Sequence, residues 1–103
     1  RIINSYKYLC EEKHEYILSK QLLRSGTSIG ANVKEAIRGQ SKDDFIHKLN
    51  ISLKEASESE YWIELLFETD YITKQQFDSL IGDCRELIKL LTSIIKTSRK
   101  EGK

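Results

Sequence analysis

Two pairs in the chain, Glu11-x-x-His14 and Asp44-x-x-His47, have the carboxylate-x-x-His spacing that carries metal ligands on one helix face in di-metal bundles. Their surroundings argue against that chemistry. Glu11 and His14 fall where an apolar pattern fades into a charged run, Asp44 lies just after a helix start, and His47 projects away from its helix's apolar stripe. Neither pair points into a core, so no metal and no cofactor are expected. Serines are numerous, but none sits in a nucleophile elbow and both histidines read as surface residues. No catalytic residue, and hence no enzyme, is expected.

The remaining candidates concern recognition. At 100° per residue, Lys20, Arg24, Lys34 and Arg38 fall within about an 80° sector of one helix, opposite the stripe of Leu22, Gly26, Ile29 and Val33. This basic ridge either neutralises the phosphates of a nucleic acid or is the solvated back of an amphipathic helix. Beside it runs Ser25-Gly-Thr-Ser-Ile-Gly-Ala-Asn32, with a single large side chain. Each helical glycine costs about 1 kcal/mol relative to alanine, so Gly26 and Gly30 imply that something approaches closely. With Ser25, Ser28 and Asn32 they are read as a helix or subunit interface. The stretch lacks the GxxxxGK[ST] spacing of a phosphate-binding loop. Tyr61 and Trp62 leave one helical turn in different directions, which suits core and subunit packing better than a base-stacking platform. Glu60 lies near the apolar stripe of its helix, and a basic partner from a neighbouring subunit would fit it.

The elements that must hold these residues are helices. The chain of 103 residues contains no proline, is 39% hydrophobic, and shows no alternating strand pattern, which is enough for one all-α domain. Thr73-Lys-Gln-Gln76 is a capping box with Ile72 and Phe77 as its staple, and behind it the apolar residues from Phe77 to Ile95 recur every three or four positions. Ser41 before Asp43 and Asp44 is a second helix start, and Gly39 suits the preceding stop. Ser19 is expected to cap a third helix. These signals predict helices at about 1–12, 19–38, 42–69 and 73–98, with a fraying basic tail over 99–103. Short connections make an antiparallel up-down four-helix bundle, with its first helix truncated. The first residue, Arg1, already lies in an apolar-periodic segment, so residues are expected before it.

Net charge is +1, unevenly distributed: residues 1–40 carry +3, residues 41–70 −5 and residues 71–103 +3. Cys10 and Cys84 are far apart, without CxxC spacing, and are expected as reduced thiols in a cytoplasmic protein. No apolar run is long enough for a membrane span, so no membrane partner is expected.

The run Ser19 to Ala36, then Ser41-Lys-Asp-Asp-Phe45, Leu53-Lys-Glu-Ala56 and Glu60-Tyr-Trp62, resembles the bacterial four-helix bundle family that includes proteins encoded in 23S ribosomal RNA intervening sequences. It is also similar to the accessory variability proteins of diversity-generating retroelements. The likeness extends from Glu15 to Ser98, with a first helix shorter than the family pattern. It implies a homopentamer and, for the retroelement branch, binding of RNA or DNA and of a reverse transcriptase. The resulting expectation is a non-enzymatic homo-oligomer that acts as a nucleic-acid-associated scaffold through the ridge and the basic tail. The alternative is a module that docks a partner protein on Glu64, Glu68 and Asp70 without binding nucleic acid.

Overall fold

The computed structural model describes residues 1–101 as four helices: α1 (Ile2–Glu11), α2 (Leu18–Ile37), α3 (Lys42–Glu68) and α4 (Lys74–Glu101). Consecutive helices run antiparallel, as cross-helix contacts demonstrate. Moving along α2 from Arg24 and Ser25 through Ile29 to Glu35, the partners on α3 step backwards from Glu58 and Ser59 through Ser52 to Lys48. The result is an elongated up-down bundle of 50 × 21 × 16 Å.

Local hydrogen bonds explain most helix ends. The Ser41 hydroxyl accepts the Asp44 N–H at 3.1 Å, opening α3 with Asp43 and Asp44 in its positive first turn. At α4 the capping box closes in both directions: the Gln76 N–H donates to Thr73 Oγ1 at 3.1 Å, and the Thr73 N–H donates to Gln76 Oε1 at 2.8 Å. Helix α3 stops in a Schellman arrangement, with Tyr71 N–H on Leu66 O and Asp70 N–H on Phe67 O. Asp70 takes the left-handed position, φ 66°, that glycine more often fills.

One expectation is corrected. Ser19 does not cap α2, which starts at Leu18. Its cap is the Glu15 carboxylate, buried and accepting the N–H groups of Ile17, Leu18 and Ser19 at 2.9–3.2 Å. A carboxylate there satisfies orphan donors and meets the positive end of the helix dipole at once. Helix α4 runs past residue 98, through Arg99 and Lys100 to Glu101. The two residues of the tail beyond it lie outside the described residues.

The core forms two clusters along the bar. One gathers Leu9, Leu22, Ile63, Leu66 and Leu80 beneath α1, and the other gathers Ile29, Leu49, Ala56, Leu91 and Ile95 beyond it. Helix α3 lies between α2 and α4, so it is buried on two faces. Small residues at Ser52, Ala56 and Ser59 let both neighbours come close.

Candidate nucleic-acid interface

The ridge of α2 is divided by what faces it. Arg24 is engaged by α3: its guanidinium reaches Glu55 Oε2 at 3.0 Å and also pairs with Glu58. Trp62 Nε1 donates to the same Glu58 carboxylate at 3.2 Å. The indole bond and the guanidinium together hold the Glu58 carboxyl below the usual carboxylate range, while the Glu58 bond raises the Arg24 pKa. Arg24 is therefore the centre of an intramolecular clip. Lys20, Lys34 and Arg38 are exposed and take no part in an ion pair among the described residues.

Antiparallel packing places Lys34 and Arg38, at the end of α2, at the same end of the bar as the start of α3 and the end of α4. Residues 34–48 and 89–100, which build that end, hold eight Lys/Arg and three Asp/Glu. Residues 1–33 and 55–86, which build the opposite half, hold twelve Asp/Glu and seven Lys/Arg. The molecule thus carries a basic pole and an acidic pole, although its net charge is only +1. Lys20 stands near the acidic pole, about 20 Å along the helix axis from Lys34.

The small-residue face of α2 separates into distinct contacts. Ser25 is fully buried against α3, its hydroxyl 2.7 Å from that of Ser59. Gly26 faces α1, and a Cβ built on it would lie 3.0 Å from the Ile2 side chain. Asn32 folds back on its own helix, donating to Ser28 O at 2.9 Å and lying 3.1 Å from Ser28 Oγ. Gly30 has no atom within 4 Å of its Cβ position and opens into an apolar groove of about 390 Å³ between α2 and α4, floored by Ile29, Val33 and Leu87.

The α3 candidates are likewise accounted for within the chain. Glu60 accepts from Arg85 Nε of α4 at 2.9 Å, which gives it a basic partner within its own bundle. Tyr61 is exposed and meets Trp62 edge-on, with ring centroids 5.0 Å apart. His14 sits in the α1–α2 loop at φ 54°, its Nδ1 3.2 Å from the Tyr16 hydroxyl. Cys84 is buried, its thiol donating to Ala56 O at 3.2 Å, and burial pushes its pKa up to about 11. Cys10 and Cys84 are both free thiols. No helix among the described residues is long and apolar enough to cross a membrane.

The basic pole also holds residues that the α2 ridge alone does not reveal: Lys96, Arg99 and Lys100, on the last two turns of α4, border a cleft of about 420 Å³ with Asn50 and Leu53 of α3. Their signal in sequence is the continuing helical period, which brings the basic tail into register with the bundle.

Fold and surface define an all-α up-down bundle with poles of opposite charge. The chain belongs to the 23S rRNA-intervening sequence protein family, whose model matches residues 1–93. A solved structure described as a protein of unknown function from the S23 ribosomal protein family, from Bacteroides thetaiotaomicron, is similar at 60% identity and TM-score 0.92. The match covers 93% of this chain and 86% of that one. No curated protein matches.

Proposed function

We propose that this chain is a non-enzymatic, homo-oligomeric scaffold that binds nucleic acid through its basic pole. The observation that carries the reading is the asymmetry of charge. Lys34 and Arg38 lie at the same end of the bundle as Lys96, Arg99 and Lys100, whereas Arg24 is neutralised by its own bundle. Cations held on rigid helix ends and free of acidic partners suit a polyanion, since each phosphate contact releases condensed counterions. Assembly is supported by the exposed apolar side chains of Ile37 and Leu90, which a monomer would leave in water. Five copies, as the family resemblance implies, would present five basic poles and multiply a weak affinity.

Light scattering tests the assembly: a mass near five times the 12.0 kDa chain is expected, and a monomer would overturn it. Reversing Lys34, Arg38, Lys96 and Arg99 to glutamate should abolish retention of RNA or DNA at low salt without changing that mass. Retention by the reversed protein would show that the pole is ordinary surface. A second reading draws on Glu64, Glu68 and Asp70, which take part in no ion pair among the described residues and lie at the acidic pole. It predicts a basic partner protein, a reverse transcriptase among the candidates, and loss of that complex when these three acids are reversed.

A further inference from the structure

We infer that the α3–α4 cleft at the basic pole seats one unstacked nucleotide of a single-stranded RNA, an inference that rests on the nucleic-acid reading above. The cleft has two chemically distinct parts. Its floor is apolar, made by the half-buried Leu53 and the buried Ile95. Its rim is polar and cationic: Asn50 from α3, then Thr92, Lys96, Arg99 and Lys100 from α4.

A bare anion would satisfy the rim and leave the floor wet. A duplex would offer phosphates but keep its bases stacked inside, out of reach of the floor. A splayed nucleotide matches both parts, because its base is a flat apolar surface with polar edges and its phosphate is an anion. Lys96 and Lys100 are one helical turn apart and flank the cleft as two cations, while the Arg99 guanidinium offers a plane on which a base can stack. None of the three is paired with a carboxylate among the described residues.

The rim's neutral groups retain hydrogen-bonding capacity. One Asn50 N–H is used on Ile46 O at 3.1 Å, which holds the amide in place and leaves its second N–H and its oxygen for a base edge. The Thr92 hydroxyl donates to Ile88 O at 2.7 Å and keeps its lone pairs. The cleft lies beside α4 near its C-terminal end, where carbonyl groups repel anions. The three cations offset that field and confine the phosphate to the rim.

The probes are a labelled mixed-sequence single-stranded oligoribonucleotide and the same strand annealed to its complement, each titrated against the full chain. The strand should bind more tightly than the duplex. Thr92→Glu places a carboxylate on the exposed rim and should weaken strand binding about tenfold. Thr27→Glu, the same charge change on exposed α2, should change it little. Asn50→Asp should act as Thr92→Glu does, with the exposed Thr92 variant protecting the test against misfolding of the other. Each of Lys96→Gln and Lys100→Gln should lower the salt slope of log affinity by about 0.7.

Equal weakening by Thr92→Glu and Thr27→Glu, or a duplex bound as tightly as the strand, would overturn the cleft assignment and leave the scaffold reading intact. Adenosine monophosphate bound as tightly as the strand would also overturn it, because the seat would then serve a free nucleotide. Absence of binding to any nucleic acid would overturn both.

Discussion

The hydroxyls of Ser25 and Ser59 meet 2.7 Å apart in the seam between α2 and α3, where both residues are almost fully buried. The Ser59 hydroxyl is also 3.0 Å from Glu55 O, and Ser52 Oγ, further along α3, donates to Ile29 O at 2.9 Å. Polar side chains this small join two helices without holding them apart. Ser59→Ala leaves the Ser25 hydroxyl only its long 3.4 Å bond to Leu22 O and should cost about 1 kcal/mol, and the double alanine variant should cost less than the two single changes added. Ser25→Leu has no space at the seam and should cost about 3 kcal/mol or more. Urea unfolding of these variants beside the parent chain checks all three statements.

Gly26 and Gly30 are one turn apart but should respond in opposite ways. Gly30→Ala meets open space and should stabilise the chain by about 0.5–1 kcal/mol through helix propensity. Gly26→Val would drive a branched side chain into Ile2 and loosen α1, visible as faster proteolysis between residues 11 and 17. If Gly30→Ala instead lowers stability and reduces the mass in solution together, Gly30 is a subunit contact.

Glu15→Ala removes a cap that serves three N–H groups and should cost about 1–2 kcal/mol, read as a fall in Tm. Glu15→Gln should recover part of that loss, because an amide oxygen accepts the same bonds without the charge.

Acid should act through Glu58. Its folded-state pKa is depressed by Trp62 and Arg24, so the unfolded chain binds the proton more readily. The stabilisation is present above the ordinary glutamate pKa and is lost as pH falls through the lower folded-state value. Glu58→Gln should flatten that part of the stability-versus-pH curve, and Arg24→Gln should reduce it, in thermal melts across the acid range.

The two thiols should differ in reactivity. Cys84, with its pKa pushed up to about 11, should resist iodoacetamide at neutral pH until the chain unfolds, while the half-buried Cys10 reacts first. Raising the pH from near the unfolded thiol's pKa toward 11 should cost stability, because the unfolded thiol ionises and the buried one does not. Mass spectrometry of the alkylated native protein counts the labels, and modification of Cys84 in the folded chain would contradict this.

Features set by near neighbours along the chain are legible in the sequence alone. Thr73 and Gln76, or Ser41 and Asp44, lie three residues apart and make the same bonds wherever the helix is docked. The apolar period from Phe77 to Ile95 likewise specifies which side of α4 turns inward. Glu15 is less legible because a carboxylate three residues before a helix resembles any member of a charged run. Only the loop geometry that brings it back over the end of α1, with Glu15 N–H on Leu9 O, reveals its task.

The sequence by itself determined four helices, their order and the caps at Ser41 and at Thr73 with Gln76, because those depend on bonds within one turn. Tertiary structure decided what each exposed or small residue faces. The rotation and register of α2 against α3 convert Arg24 from a ridge cation into a partner of Glu55 and Glu58, and pair Ser25 with Ser59. The same docking sets Gly26 beneath Ile2 and leaves Gly30 open, although both glycines have the same propensity and lie on nearly one line of the helix. It also gathers Lys34 and Arg38 with Lys96, Arg99 and Lys100, since antiparallel packing brings residues about sixty apart in sequence to one pole. Charge along the chain is a property of sequence; charge at one end of a bar depends on which helix ends meet.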